Sequence, residues 1–249
     1  MKGCLFIILL LLLGCQGKEN DKGLECLLND DYDCAYKEFY PRAKNGDDVA
    51  QYHIGEMFSL GLLGEQDHAK AMKWFKLSAE QGNEKAIQRS AEGYEFGHGV
   101  KQDKDKALEL YHEVDHLPIV QFILGFKYLT GDLVGHRDYK KALEWLLKST
   151  EGDTGYNIPE QYIGRIYLEG GDGVEQDFHK AAKWFQKAID LGATDVKNEL
   201  AQLYLQGLGV KQNKSKAIEL YKESCNDRGH NGINFIEGCE KYRALTEQN

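Results

Sequence analysis

Three stretches carry side chains whose types and spacing could do chemistry. Asp153-Thr154-Gly155 matches the triplet that supplies a carboxylate to aspartic proteases, but two carboxyls must share a proton there and no second triplet exists. His136-Arg137-Asp138 matches a kinase catalytic loop, with no Gly-rich ATP loop or Asp-Phe-Gly triplet beside it. His112 and His116 stand four apart, a spacing that on a helix puts two imidazoles on one face and could hold a metal. No third ligand is in view. Neither GxSxG nor SxxK occurs, no cofactor-binding motif is present, and the cysteines form no CxxC pair.

Cys15 poses a different chemistry. Lys2 precedes an unbroken apolar run from Cys4 to Leu13. That run is too short for a bilayer span of about 20 residues but suits a signal-peptide core. Leu12-Leu13-Gly14-Cys15 then resembles the lipobox of bacterial lipoproteins. The resemblance implies cleavage after residue 14, acylation of Cys15, and, because Gln16 rather than aspartate follows, the outer membrane. Residues 15–23 read as a lipidated N-terminus with a polar tether reaching roughly 15 Å.

The elements behind these residues repeat. Ala71, Ala107, Ala142, Ala181 and Ala217 each follow a lysine and open KAMKWF, KALELY, KALEWL, KAAKWF and KAIELY, at intervals of 36, 35, 39 and 36. A degenerate copy, CAYKEF, holds Ala35 another 36 residues upstream. A Gly-rich turn before each full copy ends in Asp67, Asp103, Asp138, Asp177 or Asn213, all good helix N-caps. Upstream again, Ile54-Gly55 with Phe58 recurs as Ser90-Ala91 with Tyr94, Leu124-Gly125 with Tyr128, Ile163-Gly164 with Tyr167 and Leu200-Ala201 with Tyr204. That spacing marks one helical face, and the small residue implies a close approach. Gly82, Gly152 and Gly192 read as C-caps of the second helices. The tryptophans Trp74, Trp145 and Trp184 share one repeat position and read as core.

This unit of helix A, turn, helix B resembles the Sel1-like repeat, a cousin of the tetratricopeptide repeat, over about residues 26–223. The resemblance implies an all-α fold: a right-handed α-solenoid of five to six helix-turn-helix repeats over residues 24–249, with A helices on the concave face. Pro159 opens the fourth A helix, and three extra residues make a bulged turn between Glu151 and Ile158. Cys26, Cys34, Cys225 and Cys239 sit only in the first and last hairpins. Local pairs Cys26–Cys34 and Cys225–Cys239 would staple the ends, where a solenoid lacks a neighbour; free thiols or a metal site are the alternatives.

A net charge of −9 argues against nucleic acid. On helix A, two positions four apart escape the core pattern: Tyr52 and Glu56, Gln88 and Glu92, Phe122 and Phe126, Gln161 and Arg165, Asn198 and Gln202. Such variation on a repeated scaffold suits a recognition surface. Phe122 and Phe126 read either as exposed anchors or as core of a rotated helix. The expected protein is thus a monomeric, non-catalytic binding scaffold, lipid-anchored and facing the periplasm or the cell surface, with a protein on its concave face. The resemblance further implies an immunity protein against a secreted antibacterial effector of phospholipase type. Its rivals are the β-lactamase-like activity attributed to cysteine-rich relatives, and an envelope adaptor or host-interaction factor.

Overall fold

The computed structural model describes residues 21–152, 157–226 and 232–247, and among these every regular element is a helix. The leader, Cys15 and Asp153-Thr154-Gly155 lie outside the described residues. The chain divides into two compact units. The first, up to Val114, stacks three hairpins: α1 (Lys22–Leu28) with α2 (Tyr32–Lys44), α3 (Asp48–Leu60) with α4 (His68–Ala79), and α5 (Glu84–Phe96) with α6 (Lys104–Glu113). The second, from Asp115, pairs α7 (Pro118–Thr130) with α8 (Tyr139–Ser149), α9 (Ile158–Glu169) with α10 (Phe178–Asp190), and α11 (Lys197–Gln206) with α12 (Lys214–Asn226). Helix α13 (Gly232–Thr246) packs on α12 and α11. No described helix is long and apolar enough to cross a membrane.

The recurring Gly-turn-Asp signal has one physical cause. Each capping side chain accepts the N–H of Lys70, Lys106, Lys141, Lys180 or Lys216 at 2.8–3.0 Å. The cap's own N–H donates to the carbonyl of Phe58, Tyr94, Tyr128, Tyr167 or Tyr204 at 2.8–2.9 Å. One residue therefore satisfies an orphan donor of helix B and an orphan acceptor of helix A. The turn glycines add a steric reason: a Cβ on Gly99 would lie 2.0 Å from the His68 carbonyl oxygen, and one on Gly209 2.2 Å from the Phe178 carbonyl carbon. These two turns lie against the starts of α4 and α10.

The end staples form as the cysteine positions suggest. Cys26–Cys34 joins α1 to α2, and Cys225–Cys239 joins α12 to α13. Four expectations need correction. The tether extends less far than residue 23, because α1 begins at Lys22, where Asp21 caps the Gly23 N–H at 3.0 Å. Gly152 does not cap α8 in a left-handed conformation; it is small because Pro118 of α7 packs on it, a Cβ there meeting the ring at 2.3 Å. Trp74, Trp145 and Trp184 are half-buried rather than sealed in the core, with Lys148 and Lys187 lying 4.2 and 4.8 Å above the last two rings. Finally, α6 ends at Glu113, so His116 lies beyond it in a turn.

Candidate functional site

The close approach anticipated at the small residue of helix A comes from helix B of the same hairpin. A Cβ on Gly55 would sit 2.5 Å from Phe75, one on Gly164 2.5 Å from Phe185, and one on Gly125 2.7 Å from Leu146. Where the small residue is Ala91 or Ala201, helix B offers Tyr111 or Tyr221 instead, and the phenol reaches past the methyl group to hydrogen-bond helix A. Tyr111 donates to Glu95 at 3.0 Å and Tyr221 to Gln202 at 2.8 Å. Burial raises both phenols above their ordinary value, Tyr221 to about 12. This contact sets how closely helix A and helix B of one hairpin approach.

The ten face residues do not form one open surface. Tyr52, Gln161 and Asn198 are buried, at 6%, 7% and 6% exposure. Tyr52 packs on Phe75 and on the core between α3, α4 and α5, and burial raises its phenol well above the usual range. Gln161 donates to Asn157 at 3.0 Å. Glu56, Gln88 and Glu92 are half-buried and joined by Arg89, which bonds Glu56 at 2.8 and 3.1 Å and Glu92 at 2.8 Å, while Gln88 donates to Glu92 at 3.0 Å. Burial raises the Glu56 carboxyl despite the guanidinium beside it. Arg165 bonds Glu199 at 3.2 Å, and burial likewise raises Glu199 against that cation.

These contacts share one register. Arg89, Tyr162 and Glu199 each directly precede the inward pair of their own helix A, Ser90-Ala91, Ile163-Gly164 or Leu200-Ala201, and each reaches back to the preceding helix A. Arg89 meets Glu56, Glu199 meets Arg165, and Tyr162 meets Phe122 and Phe126. Sequence reasoning missed this position. Its visible signal was the complementarity of Glu56 with Arg89 and of Arg165 with Glu199, 33 and 34 residues apart. Two of the three junctions are charge clasps; the third is aromatic. Phe122, Phe126 and Tyr162 form a triangle with ring centroids 6.3, 6.3 and 5.2 Å apart, all half-buried, with the Arg165 guanidinium 5.8 Å from the Tyr162 centroid. Both readings of the phenylalanines are therefore partly right: one side of the cluster rests on the core, where Phe122 and Tyr162 pack, and the other meets solvent.

The chemistry-bearing stretches are placed as follows. Asp138 caps α8 through the Lys141 N–H, which accounts for the aspartate of His136-Arg137-Asp138. His112 to His116 also reads HEVDH, a match to the HExxH zinc-protease pattern that is overlooked when only the two histidines are weighed. That chemistry needs a continuous helix to set both imidazoles on one face, and α6 ends between them. Among the described residues, no three His, Cys, Asp or Glu side chains are grouped to hold a metal.

The Sel1 repeat family model matches residues 48–83, 85–113, 118–153, 162–192 and 196–227, one segment for each hairpin from α3–α4 onward. The first hairpin, α1–α2, lies before the first matched segment and turns through Asn29-Asp30-Asp31 without a glycine. The ERAD-associated E3 ubiquitin-protein ligase component HRD3B of Arabidopsis thaliana is 27% identical over 224 residues, covering 82% of this chain; the chain spans only 35% of that protein's length. The Sel1-repeat-containing protein YjcO of Escherichia coli K12 is 25% identical over 217 residues, covering 84% of this chain and 89% of YjcO. A crystal structure of a Sel1 repeat protein from Oxalobacter formigenes superimposes with a TM-score of 0.72 at 24% identity, covering 91% of this chain and 88% of that one. With five hairpins matched and the repeat contacts accounted for, the chain belongs to the Sel1 repeat family.

Proposed function

We propose that this chain is a lipid-anchored scaffold of the bacterial envelope that grips a protein partner on the α7–α9 face of its second unit. The observation that carries the reading is the Phe122–Phe126–Tyr162 triangle. A charge clasp such as Glu56–Arg89 satisfies its own groups. A half-buried aromatic cluster keeps apolar area that a partner can cover, which is how interface anchors gain most of their energy. Support for the anchor comes from Leu12-Leu13-Gly14-Cys15 behind an apolar leader, and Gln16 favours the outer membrane. The partner proposed is a secreted antibacterial effector of phospholipase type, neutralised at the membrane it attacks; an acidic chain beneath that membrane suits such a role.

The test is co-expression with the periplasm-directed product of a neighbouring effector or lipase reading frame. Wild type protects the cell and binds the product. The double variant Phe122→Ala, Phe126→Ala loses binding by about 30-fold or more, the factor for one interface hot spot, with a lowered but still cooperative melt, because the rings also hold the α7–α9 junction. Unchanged binding by a folded double variant refutes the aromatic seat, and failure to protect against any adjacent product refutes the effector reading.

A further inference from the structure

A second surface lies on the B helices of the first unit. Tyr36 and Tyr40 of α2 stack with centroids 4.9 Å apart, and Tyr40 meets Trp74 of α4 edge-on at 6.1 Å. All three rings lean on the first unit's core yet stay half-exposed. Lysines rim this aromatic edge. Lys44 lies 5.9 Å over Tyr40, Lys70 stands one helical turn before Trp74, and Lys73 and Leu77 follow the same stripe, all exposed. Helix α4 carries Lys70, Lys73 and Lys76 and no acidic residue, in a chain of net charge −9, with Lys70 paired to the cap Asp67 at 3.0 Å. On α2, Glu38 is neutralised by Lys22 at 2.6 Å, and the exposed Lys37 and Lys44 outnumber the exposed Asp33 of the first turn. The third B helix of the unit, α6, mixes Lys104 and Lys106 with Asp105, Glu109 and Glu113, so the basic character is confined to α2 and α4.

The point where the chain enters this unit lies on the same hairpin. Asp21, which caps α1, is bonded to Arg42 of α2 at 2.7 Å. Five residues lie between it and Cys15, six steps of chain with a reach of about 20 Å when extended. An acylated Cys15 would hold the bilayer within that distance of α2.

We propose that the α2–α4 face, with Tyr36, Tyr40 and Trp74 at headgroup depth and Lys37, Lys44, Lys70 and Lys73 around them, docks on anionic phospholipid. Tyr, Trp and Lys are the side chains that settle at a bilayer interface, where a ring is half wet and a lysine stem lies along apolar surface. Lysines near an anionic leaflet each add attraction that salt screens. Docking this face would turn the first unit's B helices to the lipid. The inference draws on the anchoring reading, but its test separates the two.

The protein, extracted with any acyl chains intact and carrying Trp145→Phe and Trp184→Phe so that Trp74 is its only indole, is mixed with brominated phosphatidylcholine vesicles with or without phosphatidylglycerol. Trp74 should be quenched several-fold more in the anionic vesicles. The excess should vanish at high salt and in the Lys37→Gln, Lys44→Gln, Lys73→Gln variant, whose circular-dichroism melt should be unchanged; Lys70 is kept because it pairs with the cap Asp67 at 3.0 Å. Equal quenching in the two lipids, or quenching that survives the three substitutions, overturns the docking face. Sedimentation with neutral vesicles reports the anchor independently. A chain that sediments with them but shows no charge-dependent quenching keeps the anchor and loses the face. One that binds only anionic vesicles keeps the face and loses the anchor.

Discussion

Replacing Arg89 by methionine tests how the repeats are clasped. The guanidinium bonds Glu56 of the preceding hairpin through two nitrogens and Glu92 of its own helix through a third. Methionine keeps much of the stem's packing but leaves the Glu56 carboxylate, whose side chain is 13% exposed, without its cation. Breaking a fully buried pair costs about 3–5 kcal/mol. Arg89 is 37% exposed, so solvent screens part of the loss, and about 2 kcal/mol is expected at neutral pH. The pH dependence is the sharper readout. Burial already raises Glu56 above its ordinary 4.5, and Arg89 is the main opposing influence. Without Arg89 the folded-state value climbs further. A raised carboxyl contributes its stability below the unfolded value and loses it as pH rises through the folded value. The variant's deficit should therefore shrink as pH falls toward 4.5 and be fullest at neutrality. Urea unfolding followed by Trp74, the first unit's only tryptophan, in a Trp145→Phe, Trp184→Phe background measures it. A deficit below about 0.5 kcal/mol, typical of a surface pair, or one that ignores pH, would refute the clasp.

Three further outcomes follow from the same contacts. Gly164→Val forces a branched side chain against Phe185, whose ring would lie 2.5 Å from the new Cβ, and should cost about 2–3 kcal/mol in a thermal melt of the second unit; a neutral result would mean α9 shifts freely on α10. Cys26→Ser with Cys34→Ser opens a loop of separation 8 and should cost about 2.5 kcal/mol by chain entropy, seen as faster hydrogen exchange confined to α1 and α2. His53 is buried against Phe39, with rings 4.7 Å apart, and burial lowers it to about 4. Its depressed value means stability present above the ordinary 6.5 and lost as pH falls through about 4, so its imidazole NMR signals should stay neutral down to about pH 5.

The hairpins were legible because one short turn does two jobs at once. A cap residue must be Asp or Asn, a flat turn must be glycine, and an alanine must follow the first-turn lysine, so each repeat writes its period in small or polar residues that tolerate little else. The end disulfides were legible from cysteine position alone. The face residues were not, because which positions of helix A stay open depends on what neighbouring helices lay over them. Tyr52 is covered by the cluster that α3, α4 and α5 build together. A periodic reading of a single helix cannot contain its neighbours. It placed Tyr52, Gln161 and Asn198 on the surface, where they are buried.

The stagger between neighbouring A helices also explains why one junction stands apart. At this position a repeat must place something against the residue of its predecessor, and two solutions occur. Opposite charges, as in Glu56 with Arg89 or Arg165 with Glu199, hold the junction and satisfy themselves. Aromatic rings, as in Phe122, Phe126 and Tyr162, hold it by burying area and leave part of that area in water. Only the second solution gains when another protein arrives, since covering apolar surface remains favourable after the repeat has formed. Exchanging the solutions is therefore informative: Phe126→Glu with Tyr162→Arg should restore a clasp like that of Glu56 and Arg89, preserving the fold while removing the partner's seat. Retained partner binding by that folded double variant would show that recognition lies elsewhere on the repeats.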